Sequence, residues 1–138
     1  MVQLTARQST RIFGWINARE VLCWDDVVRC KLTLDGLMLV GLTASELMLV
    51  QPDPAKWAEH AGASLKHARF MIPWGANPFI HFKADLADVL TMRLSIDEMI
   101  RMGITYQQLL ENGMNEITER MFRFDEEEWQ MLGRRKPA

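Results

Sequence analysis

Cysteine is scarce, with Cys23 and Cys30 the only two in 138 residues. That number excludes a disulfide framework. The seven-residue spacing puts both thiols on one helical face, where two free, buried groups in a reducing compartment are expected. Neither sign of charge is in excess, since 16 Lys and Arg nearly balance 18 Asp and Glu. The balance excludes the broad basic face that phosphate binding draws on, and the terminal cluster Arg134, Arg135 and Lys136 reads as a solubilising tail. No apolar run reaches membrane-spanning length, and the opening MVQLTARQSTRIFGW lacks the apolar core of a signal peptide. The expectation is an intracellular, cytoplasmic chain with no membrane partner. There is also no glycine-rich phosphate loop, no nucleophile elbow and no HExxH, so nothing in the sequence asks for an enzyme or a cofactor.

What the sequence does hold is a ten-residue beat. With residues 31, 41, 51, 83, 93, 103, 113 and 123 each taken as slot 1 of a decad, slot 3 reads Thr33, Thr43, Asp53, Asp85, Ser95, Thr105, Asn115 and Asp125. All eight are helix N-cap types, although Ser, Thr, Asp and Asn fill just 23 of the 138 positions. Slot 3 is therefore where each helix is expected to start. Slot 6 holds Glu46, Glu98, Gln108 and Glu128, the return arm of a capping box. Slot 2 is mostly Leu32, Leu42, Leu94, Ile104, Met114 and Phe124. Slot 7 is Leu37, Leu47, Trp57, Val89, Met99, Leu109 and Trp129, with Glu119 the exception. These are the two arms of a hydrophobic staple. Slot 1 supplies a stop at Gly41, Gly103 and Gly113, with Gly133 after the last decad, where a left-handed residue closes the preceding helix. Each helix then has about six or seven residues, too few to be stable alone.

Outside the strict register, Asn17 with Glu20 reads as a further capping box, Asp25 as a helix start and Ser64 as the cap of SLKHARFM. Asn77 followed by Pro78 repeats the pairing of Asp53 with Pro54, proline taking the first helical position. Residues 70–82, FMIPWGANPFIHF, depart most from the beat. There Pro73, Trp74 and Gly75 form a turn, and a short strand through Phe79 to Phe82 competes with a helix on periodicity alone. The fold class is all-α: an array of short capped helices, compact and either solenoid-like or irregular, one domain over residues 1–138 with an irregular aromatic and proline segment at 70–82.

Leu94 to Met114 reads as a helix-turn-helix, but any two successive decads produce that pattern. Its second helix offers Tyr106, Gln107, Gln108 and Asn112 to bases and no Arg or Lys to phosphates, which makes nucleic-acid binding the alternative reading. His60 and His67 are seven apart, too far for the ligand pairs of a structural zinc site, so no metal is expected. A partly buried His60 is expected, because its slot otherwise holds Val40, Val50, Met92, Met102 and Phe122. The run Asp125 to Glu128 falls in a first helical turn, where carboxylates favour the helix dipole. Trp15, Trp24, Trp57, Trp74 and Trp129 read as core or interface anchors. Trp74, Phe79, His81 and Phe82, where the beat fails, are the candidate interaction residues, and a catalytic site around His81 and Trp74 is a third reading.

The decad Gly103 to Gly113, written G-[ILM]-[ST]-x-x-[EQ]-L-L-x-x-G, resembles the short tandem helical repeats of some proteins of large DNA viruses and of bacteria. The resemblance spans about two thirds of the chain. It implies a structural or host-interaction role in a virus-like setting, a virus particle included, and it carries over no catalytic residue. The expected function is a non-enzymatic structural or protein–protein interaction protein whose partner is another protein or itself, as a homo-oligomer or larger assembly. The beat itself is open to test. Thr105→Ala should lower unfolding free energy by about 1 kcal/mol in a denaturant titration; an unchanged midpoint would show that slot 3 does not cap.

Overall fold

The computed structural model describes residues 2–14 and 21–135, so Trp15, the pair Asn17 and Glu20, and Lys136 lie outside the described residues. Among those described, the fold is mainly α, with eleven α-helices, two short 3-10 turns and one two-stranded sheet. The chain divides into two compact units, Met1–Trp74 and Gly75–Ala138. The boundary falls inside 70–82, the segment where the beat fails.

In the first unit, β1 (Val2–Gln3) pairs antiparallel with β2 (Val21–Leu22), Val2 opposite Leu22. Two-residue strands carry no alternation, so the sequence gives no sign of them. Between them lies α1 (Ala6–Phe13), followed after β2 by α2 (Trp24–Arg29), α3 (Leu34–Leu39), α4 (Ala44–Val50) and α5 (Pro54–His60). The 3-10 turns Leu65–His67 and Ile72–Trp74 complete the unit. The second unit is helical throughout: α6 (Pro78–His81), α7 (Leu86–Met92), α8 (Ile96–Arg101), α9 (Tyr106–Glu111), α10 (Glu116–Met121) and α11 (Glu126–Met131).

All eight slot-3 residues are N-caps whose side chains accept a hydrogen bond from a backbone N–H in the first turn. Glu46, Glu98 and Glu128 close capping boxes as expected. Gln108 does not, because its Oε1 instead accepts from Asn77 Nδ2 at 2.8 Å. Asp88 and Thr118 close boxes that their shorter side chains had hidden. The beat also reaches further back than slot 3 suggests. Cys23, ten residues before Thr33, is the N-cap of α2, and its amide and thiol both lie 3.2 Å from Asp26 Oδ2. Asp25, the expected start, sits inside the first turn. Thr5 and Gln8 form one more box at the head of α1. Ser64 takes the N-cap position of the first 3-10 turn, its amide donating to His67 Nδ1 at 3.1 Å.

The stop signal is broader than glycine. Gly41, Gly103, Gly113 and Gly133 are left-handed, with φ from 75° to 103°, and so are Lys31, Lys83, Arg93 and Arg123, with φ from 51° to 58°. After the stop the chain folds back, as where the Ile104 amide donates to Met99 O and the Met114 amide to Leu109 O, both at 3.0 Å. Gln51 is the one slot-1 residue that stays extended, because Pro52 follows it. Slots 2 and 7 face inward: Leu42, Leu94 and Ile104, and Leu37, Leu47, Trp57, Val89, Met99, Leu109 and Trp129, are all buried. Glu119, the polar exception, is half-buried and accepts from Arg134 Nη1 at 2.6 Å.

Hydrogen bonds also join helices that are not successive. Gln8 Nε2 donates to Val40 O, the Leu34 amide to Ala61 O, Asn77 Nδ2 to Gly103 O and the Tyr106 amide to Leu132 O, at 2.8–3.1 Å. Each bond ties the start of one helix to the carbonyls that close the second helix after it: α1 to α3, α3 to α5, α6 to α8 and α9 to α11. The left-handed cations carry a conformational cost that glycine would not. Lys83→Gly should therefore raise unfolding free energy by about 1 kcal/mol, and Gly103→Ala, whose added Cβ meets nothing within 4 Å, should lower it by a similar amount, both read from denaturant titrations. A neutral or destabilising Lys83→Gly would contradict the strain.

Candidate functional site

The candidate interaction residues do not stand alike. Trp74 belongs to the first unit, where it is buried. Its indole N–H and that of Trp57 both donate to Gln51 O at 2.7 Å, using the two lone pairs of one carbonyl. The rings of Trp24, Trp57 and Trp74 follow edge to face, with centroids 5.0 and 6.1 Å apart. Trp74 is thus a core anchor in that unit. Phe79, His81 and Phe82 belong to the second unit and are all half-buried. The strand considered for Phe79 to Phe82 is a helical turn instead: Asn77 Oδ1 accepts from the Phe79 amide at 3.0 Å and Pro78 holds the first position of α6.

The residues of the helix-turn-helix reading are largely engaged inside the second unit. Tyr106 is half-buried, its ring 5.5 Å from that of Trp129 and 5.6 Å from the Arg134 guanidinium carbon. Gln108 Oε1 accepts from Asn77, and Asn112 Nδ2 donates to Gln108 O at 2.8 Å, closing the end of α9. Gln107 lies exposed with its amide 3.5 Å from Glu111. Arg134, expected as part of a solubilising tail, is drawn in by Glu119 and by Glu126, 3.3 Å away.

His60 and His67 part company. His60 is exposed at the end of α5 rather than partly buried, because that helix already fills the interior with Trp57; its ring lies 6.0 Å from that of Trp24. His67 is buried, and its Nδ1 accepts from the Ser64 amide, which places the ring proton on Nε2. That proton is donated to Asp35 Oδ1 at 2.7 Å, while Lys66 Nζ donates to Asp35 Oδ2 at 3.0 Å. The His67 hydrogen bond first, and the Lys66 bond second, hold the exposed Asp35 carboxyl below its ordinary value. Cys23 is half-buried and Cys30 exposed, both free thiols, against the expected buried pair. Among the described residues no three His, Cys, Asp or Glu side chains are grouped to hold a metal.

Two clefts open at the surface, one within each unit. In the second unit a cleft of about 620 Å³ is lined by Val89, Leu94, Met121 and Phe122 together with Arg93 and Arg123. In the first unit a smaller one of about 230 Å³ has Ile12, Leu32 and Val40 beside Arg11 and Lys31. Three of the four left-handed cations therefore line clefts. The sequence signal was available: a basic residue in slot 1, where glycine was expected. No protein-family model, curated protein or solved structure matches the chain.

Asp35 predicts a pH dependence. Its folded-state value is lowered, so the stability it contributes is present above about pH 4 and is lost as pH falls through the lowered value. Asp35→Asn should melt below wild type at neutral pH, with the gap closing toward pH ~3. A gap that stays constant across the titration would count against a charged Asp35 partner for His67.

Proposed function

We propose that the chain is a non-enzymatic structural or protein–protein interaction protein, a short-helix array that presents a contact surface to another protein or to copies of itself. The observation that carries this reading is a repeated exposed slot. Leu39 and Leu49 are 81% and 69% exposed at slot 9 of successive decads in the first unit, and Met121 and Met131 are 59% and 58% exposed at the same slot in the second. Large apolar side chains left outside in register, while most of slots 2 and 7 are buried, have the composition of contact surface rather than of core.

Two further observations support this reading. The four bonds linking a helix start to the end of the second helix after it recur in both units, as a turn of three short helices would require. The polar groups of His67, Gln108 and Asn112, which a catalytic or base-reading site would use, are spent on internal bonds, and the Tyr106 ring packs on Trp129. Among the described residues no helix is long and apolar enough to cross a membrane. The likeness to short-repeat proteins of large DNA viruses and bacteria makes assembly in a virus-like setting part of the same proposal.

The solution mass tests it. Wild type should run above monomer mass in light scattering, with the excess growing with concentration. Leu39→Glu with Leu49→Glu, or Met121→Glu with Met131→Glu, should return it toward monomer without lowering its melting temperature, since these side chains are largely outside already. A wild-type chain that is monomeric at every concentration and binds no protein would sink the reading.

A further inference from the structure

One helix of the second unit, α10, has its apolar and charged slots exchanged. In its decad, slots 4, 7 and 8 hold Glu116, Glu119 and Arg120, where the other decads mostly place apolar residues, as with Ile96, Met99 and Ile100 in α8. Slots 5 and 9 hold Ile117 and Met121, and in no other decad are both of these slots filled by large apolar residues. As a result α10 buries no side chain, alone among the described helices, and leaves Ile117 72% and Met121 59% exposed. Those two lie four residues apart, one above the other on a single face. Glu116 and Arg120, also four apart, form a second row along one flank of that face. Both are exposed, and among the described residues neither side chain is held by a hydrogen bond or an ion pair.

We propose that α10 is a homodimer contact: it pairs antiparallel with α10 of a second copy across a two-fold axis, Ile117 against Met121 of the second copy and Glu116 against Arg120 of the second copy. This rests on the interaction reading above and names the partner. A two-fold contact uses one patch twice, so that residue i meets j while j meets i. The two rows of α10 satisfy that demand. An acid and a base four residues apart become two opposite-charge pairs when the helix is reversed on itself, and the Ile and the Met become two apolar pairs. Parallel pairing would instead set acid on acid and base on base. Covering the exposed Ile117 and Met121 supplies the driving force, and the charges fix the direction and the choice of partner. A helix of six residues is too small to cover the roughly 1,200 Å² of a specific, stable interface, so this pairing is weak and concentration-dependent. It gives α10 what each of the other described helices draws from its own unit, a buried contact to offset the cost of starting so short a helix.

The test uses the full chain, its mass followed by sedimentation equilibrium over a range of concentrations. Wild type should move between monomer and dimer. Glu116→Arg and Arg120→Glu each set like charges against one another across the axis, and each should raise the dimer dissociation constant by about tenfold. Mixed in equal amounts, the two variants complement one another, and the mixture should dimerise about as tightly as wild type. An unfolded variant could not recover in this way, so the mixture separates a lost contact from a lost fold. Ile117→Ser should also raise the constant while leaving the monomer's melting temperature unchanged, since that side chain is largely outside. Three results overturn the proposal: a dimer that neither charge variant weakens, single variants that stay monomeric when mixed, or a monomeric wild type that binds another protein through Ile117. If the charge variants leave the assembly intact while Leu39→Glu with Leu49→Glu disperses it, the α10 contact falls and the interaction reading stands. A wild type that is monomeric at every concentration and binds no protein sinks both.

Discussion

The hydrogen bond from a first-turn amide to the side chain in slot 3 is the interaction on which the rest of the structure depends. A six-residue helix such as α8 or α9 is shorter than the run needed to satisfy both of its ends, since four amides at the start and four carbonyls at the finish lack intrahelical partners. Nucleating such a helix is unfavourable, and little propagation follows to offset it. The decad answers each orphaned group in turn. The cap takes one amide and the box takes the amide of the cap itself. The left-handed stop lets the next residue bond back to the last turn, and the bonds from α1 to α3, α3 to α5, α6 to α8 and α9 to α11 take further groups across the array. Burial follows from this geometry, because a fixed start and a fixed stop turn slots 2 and 7 inward in most decads.

How much of this was legible in the amino-acid sequence depends on whether a role admits one residue type or several. An N-cap needs a short side chain with an acceptor, and Ser, Thr, Asp and Asn satisfy it, so the eight starts could be read directly. Cys23 holds the same position without accepting an amide, its own amide and thiol turned to Asp26 Oδ2, so neither its type nor its bonding marks it in the sequence, where Asp25 looks like the start. The stop needs a left-handed backbone, which glycine announces and Lys31, Lys83, Arg93 and Arg123 conceal. Gln108 has the right type and spacing for a box, yet Asn77 competes for its carbonyl across 31 residues, a tertiary event that no local pattern contains. The paired strands were equally hidden, being held by partners 20 residues apart and two residues long.

The same division explains the sites. Residues singled out for their chemistry, such as Trp74, His67 and Gln108, carry polar groups that a folded interior must satisfy, and the structure satisfies them internally. Glu119 and Arg134 show this most clearly. A carboxylate in a slot that elsewhere holds Leu, Met or Trp would be costly alone, and the guanidinium once read as a loose tail is the group that makes it tolerable. The local program leaves two kinds of surface unused: the exposed apolar side chains at slot 9 and the cation-lined clefts. Neither stands out by residue type, because exposed Leu and Met look like core and exposed Arg looks like solvation until their position in the decad is known.

The interruption between the two regular arrays obeys the same rules with altered spacing. Caps fall at Asp53, Ser64, Asn77 and Asp85, steps of 11, 13 and 8 residues in place of three tens. Over that stretch the side chains change along with the count. A histidine replaces the carboxylate of the box at Ser64, two helices begin with proline, and a carbonyl bonded by two indoles replaces the left-handed stop at Gln51. Pro52 disfavours a helical conformation at Gln51, which is extended where the other slot-1 residues are left-handed, and in that conformation the Gln51 carbonyl accepts Trp57 and Trp74. The double indole contact is then a consequence of losing the stop, and it brings Trp74, the last residue of the first unit, into that unit's core. The break in the beat is therefore where the first unit is closed with aromatic side chains, and Gly75 begins the second unit two residues before its first cap.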